Sequence, residues 1–366
     1  MDRRGDSDSR PTPRAGPVRS CGVKLVAVIA ATAACLAVSH SDGGATRTDR
    51  AVRGGGVNAM PSMRPWRYVG ANPDGWWCQP GKCKGVADGT AYFNRELPLM
   101  RAVGAQVVRV EFPWALIEPR RNRFDWRRAD AIVQAARRVH LALQPVLVYS
   151  PPWAAPGANS PPSATAFSGF ARALARRYRG RIRTYELWNE PDLQRYWSGT
   201  ERQYVQRILI PGYRAIRSGD PHARVVLGGP SKADHDWLEG IYRYGGGKAF
   251  DIAAFHDYAS GPFVISDARV VASVLADHGQ RAKPIWLGEY GYPDSDPSSP
   301  HQIPLIEQVL TQPGPIAMAE WYSFRDTYTA TCCPPRVIDF SPWGLVTASY
   351  DEKASFEIMK ALLGRG

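Results

Sequence analysis

The sequence predicts an α/β protein with the fold of a (β/α)8 TIM barrel. From residue 66 onward, eight short apolar segments alternate with eight segments of helical periodicity. The apolar segments are hydrophobic almost throughout, which is typical of parallel strands that are covered by helices on both faces. Eight strand-helix units in roughly 300 residues is the number that a (β/α)8 barrel needs.

The eight predicted strands share this nearly continuous apolar character. In chain order they are WRYVG (66–70), VVRVEF (107–112), LALQPVLVY (141–149), TYELW (184–188), RVVLGG (224–229), IAAFH (252–256), PIWLGE (284–289) and IAMAEWYSF (316–324). The alternative fold is an open doubly wound sheet. That fold usually carries a glycine-rich phosphate loop after its first strand, and GANPDG (70–75) does not match one.

The predicted helices each place apolar side chains on one face, as a helix that packs on a sheet must. They cover 94–103, 126–140, 163–179, 204–217, 236–244, 267–278, 302–310 and 355–364. In the third of these, Ser163 is the expected N-cap, because a serine hydroxyl accepts from the free N–H groups of the first turn. Its apolar stripe consists of Phe167, Phe170, Ala171, Leu174 and Tyr178. Gly364 is the expected C-terminal cap of the last helix.

The chain is predicted to have three parts: a leader at 1–40, a flexible linker at 41–64 and the catalytic barrel at 65–366. The leader combines an arginine-rich start with an apolar run from Lys24 to Val38, which is short for a membrane span and fits a signal peptide. An uncleaved anchor is the alternative. We therefore expect a secreted or cell-surface protein, tethered to a membrane if the leader stays, and a monomer.

Export would place the remaining cysteines in an oxidising compartment. Cys78 and Cys83 lie in the loop after strand one, and Cys332 and Cys333 lie after strand eight. Strands one and eight are neighbours in a closed barrel, so we predict at least one disulfide bond between the two loops. No histidine pairs accompany the cysteines at zinc-site spacing, so no metal or cofactor is expected. The net charge of +12 is spread along the chain without a dense basic block, which disfavours nucleic acid as a partner.

Two glutamates follow predicted strands at the end where barrels of this kind place their active sites. Glu190 follows strand four and Glu289 ends strand seven. Glycoside hydrolysis needs such a pair, one protonated to release the leaving group and one ionised to attack the sugar. Arg109 and Tyr258 favour an ionised carboxylate, which makes Glu289 the expected nucleophile and Glu190 the expected acid/base.

The sequence resembles the clan A glycoside hydrolases over residues 66–366. The resemblance rests on Arg109 in strand two, LWNEP (187–191), HDY (256–258) and GEYG (288–291). Within the clan it is most similar to family 39, the β-xylosidase and exopolysaccharide-hydrolase group. The features shared with that family are YELWNEPD (185–192), GYRAIRSGDPHARVVLGGPS (212–231), WYSFRD (321–326) and GLV (344–346).

The resemblance implies a retaining mechanism with Glu190 and Glu289 as the catalytic pair. It also implies that Asn189 binds the sugar 2-hydroxyl, that Tyr258 and Arg109 hold the nucleophile, and that His256 lines the site. Trp321 would be the sugar platform. Trp153, in the loop after strand three, is either a second sugar platform or a loop-packing residue.

The expected function is therefore a secreted retaining β-glycosidase acting on a polysaccharide or oligosaccharide. The alternatives are a carbohydrate-binding barrel without activity and an enzyme that transfers sugars. Among the other carboxylates, Glu186 is expected to be a paired structural group. Glu111 and Glu118 are expected to be surface or loop charges.

Overall fold

A computed structural model describes residues 66–70, 90–258, 263–294, 302–330 and 338–364, with the backbone alone at 66–70, 327–330 and 338–341. The predicted leader and linker lie outside these ranges. So do Cys78, Cys83, Cys332 and Cys333, and the disulfide between their loops stays a prediction. None of the described helices combines the length and the hydrophobicity that a membrane span requires.

Eight parallel strands form the centre of the fold, and each lies within three residues of its predicted bounds. They are β1 Trp66–Gly70, β2 Val107–Pro113, β3 Ala142–Val148, β4 Thr184–Leu187, β5 Arg224–Leu227, β6 Ala253–Asp257, β7 Ile285–Tyr290 and β8 Ile316–Tyr322. A further antiparallel pair, β9 Thr327–Ala330 and β10 Ile338–Ser341, follows β8 and was not predicted.

The strands follow one another in chain order around a ring. Hydrogen bonds join β2 to β5 in sequence, and β6, β7, β8 and β1 in sequence. A parallel bridge between Val226 and Ile252 connects β5 to the start of β6. On the other side of the ring, β1 forms hydrogen bonds with β8 and lies beside β2, so the first strand lies next to the last. The predicted (β/α)8 fold is confirmed.

Helices separate successive strands, as the crossover between parallel strands requires. They are α1 Thr90–Ala102, α2 Trp114–Ile117, α3 Arg127–Arg138, α4 Ala164–Arg177, α5 Glu201–Tyr204, α6 Ile210–Gly219, α7 His235–Arg243, α8 Phe263–Asp277, α9 Gln302–Thr311 and α10 Ala354–Leu363. The single helix predicted at 204–217 is divided into α5, a π-helical turn at Val205–Leu209 and α6. Pro211 follows that turn and has no N–H to donate, which disfavours a continuous α-helix.

Helix α4 shows how the sequence determines an element. The Ser163 hydroxyl accepts a hydrogen bond from the Ala166 N–H at 3.2 Å, so the predicted N-cap is confirmed. The predicted apolar stripe, from Phe167 to Tyr178, is buried completely. Burial of one helix face against the strands supplies most of the stability of such a helix, because short helices are marginal in isolation.

Candidate active site

A cavity of about 470 Å³ opens at the carboxyl ends of the strands. Its walls are formed by Arg109, Val110, Glu111, Tyr149, Asn189, Glu190, Arg195, Tyr196, Tyr258, Gly288, Glu289, Glu320, Tyr322 and Trp343. Five of the eight sequence-predicted site residues are in this lining: Arg109, Asn189, Glu190, Tyr258 and Glu289. The volume is in the range of small-molecule sites.

Glu289, the penultimate residue of β7, is held by two donors. The Arg109 Nη1 donates to its Oε1 at 2.5 Å, and the Tyr258 hydroxyl donates to its Oε2 at 2.5 Å. Burial alone would raise the pKa of Glu289, but electrostatic interactions with His256 and Arg109 and the two hydrogen bonds outweigh it. The pKa of Glu289 therefore lies below its ordinary value, and the carboxylate is ionised at neutral pH.

Glu190 lies three residues beyond the end of β4 and is 4% exposed. Its Oε1 lies 3.1 Å from His256 Nδ1, and its Oε2 accepts from Arg195 Nη2 at 3.3 Å. The backbone turns sharply here, with φ of 78° at Trp188 and 40° at Glu190. Such left-handed conformations are unfavourable for these residue types and concentrate at functional sites. The turn directs the Glu190 side chain into the cavity.

The carboxylates of Glu190 and Glu289 share one neighbour. Nδ1 of His256 lies 3.1 Å from a Glu190 oxygen and 3.6 Å from a Glu289 oxygen. One oxygen of each carboxylate lies within 4.8 Å of the other. Because both neighbours of Nδ1 are acceptors, the ring hydrogen is assigned to Nδ1.

His256 is fully buried and supports the two carboxylates from below; it does not form part of the cavity wall. Two glycines make room for its ring. A Cβ atom at Gly229 would lie 2.7 Å from His256 Nε2, and one at Gly288 would lie 3.2 Å from it. The expectation that His256 lines the site is corrected to a position directly beneath it.

Arg109 connects the site to the barrel interior. Its Nε and Nη2 donate to Glu186 at 2.7 and 3.0 Å, and Nη2 also donates to Asn189 Oδ1 at 2.8 Å. Glu186 is fully buried and accepts further hydrogen bonds from Gln144 and the Gly229 N–H. Glu186 is thus a paired structural carboxylate, as predicted. Asn189 keeps its amide N–H groups as donors, because its oxygen is occupied by Arg109.

The two predicted tryptophan platforms are not in the cavity wall. Trp321 is fully buried, donates its Nε1 to the Trp343 carbonyl at 3.1 Å and packs edge-on against Tyr290. Side chains alternate along a strand, so β8 presents Glu320 and Tyr322 to the cavity and Trp321 to the opposite side. Trp153 donates to the Glu118 carbonyl and lines a separate cavity of about 450 Å³.

Aromatic side chains form two walls of the cavity, and of these only Tyr258 was expected from the sequence. Tyr258, Tyr322 and Trp343 pack edge-to-face, with Tyr258 and Trp343 centroids 5.3 Å apart. On the other side Tyr149 stacks on Tyr196. Tyr149 follows β3 and Tyr322 is the last residue of β8, and their positions at or near the ends of predicted strands were the signal that could have identified them.

Of the two glutamates expected to be surface or loop charges, Glu118 is buried and Glu111 is half-buried. Glu118 is 2% exposed and accepts hydrogen bonds from Trp114 Nε1 and the Asn122 N–H, both at 2.7 Å. Glu111 lies in β2 and in the cavity wall, where its Oε1 accepts from the Tyr149 hydroxyl at 3.0 Å. Glu111 lies two residues after Arg109, and alternation along a strand puts both side chains on the same face.

Glu190, His256 and Glu289 also have the donor types and spacing that could hold a metal ion. Both oxygens of Glu289 already accept charge-assisted hydrogen bonds from Arg109 and Tyr258, and Arg109 supplies the positive charge that a metal would bring. Both oxygens that Glu289 could offer to a metal are therefore occupied by protein groups.

Comparisons with solved structures identify the fold. The GH39 enzyme of Xanthomonas axonopodis pv. citri superposes with a TM-score of 0.66 at 18% identity, over 82% of this chain and 66% of that chain. A monomeric β-xylosidase of Caulobacter crescentus superposes with a TM-score of 0.66 at 18% identity, over 82% of this chain and 68% of that chain. A GH5_18 enzyme of Streptomyces cattleya, solved in complex with GlcNAc, superposes with a TM-score of 0.61 at 18% identity, over 83% of this chain and 81% of that chain.

These neighbours confirm, at the level of the fold, the resemblance to family 39 and to clan A glycoside hydrolases. The chain spans 66% of the Xanthomonas enzyme and 63% of a family 39 glycoside hydrolase from Bacteroides cellulosilyticus. No protein-family model matches the sequence, and the comparison with curated proteins found no match.

Proposed function

We propose that this chain is a retaining glycoside hydrolase in which Glu289 is the nucleophile and Glu190 is the acid/base. One observation carries the proposal: two carboxylates face one cavity with oxygens within 4.8 Å of each other, in different electrostatic surroundings. Retaining enzymes place their carboxyl groups about 5–5.5 Å apart, whereas inverting enzymes leave about 6.5–9.5 Å for a water molecule. The short separation supports retention.

In the first step an ionised Glu289 oxygen attacks the anomeric carbon of the bound sugar. The Glu190 carboxylic acid gives its proton to the glycosidic oxygen as the bond to the leaving group breaks. A covalent glycosyl-enzyme ester results, and Glu190 is left as a carboxylate. In the second step Glu190 takes a proton from water, the resulting oxygen nucleophile attacks the anomeric carbon, and Glu289 is released with the original configuration restored.

The surroundings of each carboxylate fit its proposed role. Arg109 and Tyr258 stabilise the negative charge on Glu289 before the attack and again when the ester breaks. His256 lies between the two carboxylates and can shift its hydrogen bond as charge moves from Glu289 to Glu190. In this proposal the amide N–H of Asn189, beside Glu190, donates to the sugar 2-hydroxyl.

We also propose that the enzyme is exported and acts on an extracellular polysaccharide or its fragments. The support is the apolar run from Lys24 to Val38 behind an arginine-rich start. A signal peptide would release the enzyme and an uncleaved segment would tether it to the membrane. Immunoblotting of membrane, medium and cell fractions with an antibody against the barrel distinguishes these outcomes, and a wholly intracellular protein contradicts export.

The activity is tested with a panel of aryl β-glycosides and polysaccharides, using wild-type protein, Glu289→Gln and the control Glu307→Gln. Glu307 is an exposed residue of α9, away from the cavity. The proposal expects hydrolysis by wild type and control and none by Glu289→Gln. Binding without turnover by the wild type would instead identify a carbohydrate-binding barrel. A product that contains an added acceptor sugar in place of water would identify a transglycosidase.

A further inference from the structure

Among the residues that the structure describes, carboxylates outnumber cations in the proposed active site. The wall contains Glu111, Glu190, Glu289 and Glu320, and Glu186 lies beneath them. The cations of the wall are Arg109 and Arg195. A buried charge without a partner is strongly unfavourable. The hydrogen bonds and ion pairs of each carboxylate therefore show which of these negative charges is compensated by other residues.

Arg109 and Arg195 are already engaged. Arg109 makes ion pairs with Glu186 and Glu289 through three of its nitrogens. Arg195 is 67% exposed at the rim, where it pairs with Glu190. Neither cation bonds to Glu111, and Glu111 is in none of the ion pairs formed by the described part of the chain.

Glu320 is the most deeply buried carboxylate of the wall. Neither of its oxygens has a hydrogen-bond partner among the residues that the structure describes. Its Oε2 lies 3.5 Å from Arg109 Nε, but that N–H is directed to Glu186 at 2.7 Å. Burial raises the pKa of Glu320 well above its ordinary value, and the attraction of Arg109 does not offset this. The raised pKa favours the protonated form of Glu320 in the cavity wall.

Among the described residues, Glu111 is the wall carboxylate that forms no ion pair, and the charge of Arg109 acts on it without a hydrogen bond. Burial raises its pKa, and the hydrogen bond from Tyr149 and the charge of Arg109 oppose that increase only in part. The hydroxyl of Tyr149 occupies one oxygen at 3.0 Å. Tyr149 is itself fixed by stacking on Tyr196, so the Glu111 carboxyl is held rigidly in the wall between β2 and β3.

We propose that the sugar bound in this cavity carries a free amino group and that its ammonium pairs with Glu111. The substrate would then be a cationic glycoside, such as an oligosaccharide or polysaccharide containing amino sugars without N-acetyl groups. The inference deepens the proposed function and rests on it, because it assumes that the sugar bound in the cavity is hydrolysed. An ammonium at hydrogen-bond distance would supply a positive charge to this half-buried carboxylate, and the attraction between such partly buried charges is stronger than in bulk water. A uronic acid would add a further negative charge to the same wall.

The test uses aryl β-glucosides with a free amino group at C2, C3 or C4, together with the parent glucoside and the N-acetylated forms. For at least one amino isomer, wild-type kcat/KM should exceed that of the parent about tenfold or more, and N-acetylation should abolish the preference. In Glu111→Gln the ratio of amino to parent kcat/KM should fall by about tenfold. Tyr149→Phe, which keeps the carboxylate, should retain a ratio above one.

The inference is overturned if every amino isomer is cleaved more slowly than the parent glucoside. It is also overturned if Glu111→Gln lowers kcat/KM for the amino glucoside and for the parent glucoside by the same factor. Cleavage of the parent that depends on Glu289, with no amino preference, would leave the proposed function standing and remove the inference alone. If no glycoside is cleaved, the proposed function fails, and calorimetry with the free amino sugars and glucose decides the inference. Tighter binding of an amino sugar that Glu111→Gln abolishes supports it, and equal binding removes it.

Discussion

The Arg109 guanidinium and the Glu289 carboxylate are joined by a 2.5 Å hydrogen bond between residues 180 positions apart in the chain. The contact depends on the barrel, because β2 and β7 bring their ends to the same mouth. The opposite edge of the guanidinium is fixed by Glu186, so Arg109 cannot turn away from Glu289 without breaking a buried ion pair. The proposed nucleophile is therefore held ionised by a cation that is itself held in place.

Arg109→Lys tests this arrangement. Lysine keeps a charge but cannot form the planar fork that bonds Glu186, Asn189 and Glu289 together. We expect kcat/KM to fall by about 100-fold or more. Loss of the stabilising contact removes an influence that lowers the Glu289 pKa, so the acidic limb of the pH profile should move to higher pH. The control is Arg127→Lys, at a residue 90% exposed. An unshifted acidic limb in a folded Arg109→Lys variant would contradict the role given to Arg109.

Glu190→Ala tests the acid/base assignment. Without a proton donor, kcat for alkyl glycosides should fall by roughly 100- to 10,000-fold, whereas glycosides with a highly acidic leaving group should lose much less in the first step. Azide should then accelerate turnover by attacking the covalent intermediate and give a β-glycosyl azide. Product configuration is measured by NMR. An α-azide would show that the roles of Glu190 and Glu289 are reversed.

Trp343→Ala and Trp321→Ala separate a substrate contact from a packing residue. Trp343 lines the cavity, so its loss should raise KM about tenfold or more with little change in the melting temperature. Trp321 is fully buried, so its loss should lower the free energy of unfolding by about 3–5 kcal/mol. The two variants form a matched pair for kinetics and thermal melting. A stable Trp321→Ala with a selectively raised KM would restore Trp321 as the sugar platform.

Glu201, in the first turn of α5, should make stability depend on pH. Burial raises its pKa to about 7 from the usual 4.5, although the nearby charge of Arg243 opposes this. Between these values the folded state binds more protons than the unfolded state, so stability falls as pH rises through that window. Glu201→Gln removes this loss. We expect its melting temperature to exceed that of wild type by roughly 2 °C at pH 8 and to match it more closely at pH 5. Equal differences at both pH values would contradict the assignment.

The sequence was sufficient for the fold and for the residues at the strand ends. Apolar runs determined the strands to within three residues, and the residues that end them, such as Glu289, necessarily meet at the mouth of a barrel. The tryptophan positions could not be obtained in this way. To decide whether Trp321 faces the cavity, one must know which residues of β8 point inward. A strand that is apolar throughout shows no alternation from which the inward-facing residues could be determined.

Trp343 and Glu111 were missed for different physical reasons. Trp343 follows the unpredicted strand pair β9–β10, and its place in the cavity depends on contacts made far from it in the sequence, such as the hydrogen bond from Trp321 to its carbonyl. Glu111 was treated as a surface charge because a glutamate is rarely buried. Glu111 lies two residues after Arg109 in β2, so alternation along the strand puts both side chains on the same face. This alternation outweighs the general preference of glutamate for the surface.

The central claim, that Glu289 forms a covalent bond with the sugar, is tested most directly by trapping. A 2-deoxy-2-fluoro aryl β-glycoside with a good leaving group should form the glycosyl-enzyme rapidly and hydrolyse it slowly, because fluorine destabilises both transition states. Mass spectrometry of the intact protein should show one added sugar, and peptide mapping should locate it on Glu289. A label on another residue would contradict the assignment. So would the absence of any label together with an NMR time course that shows inverted product.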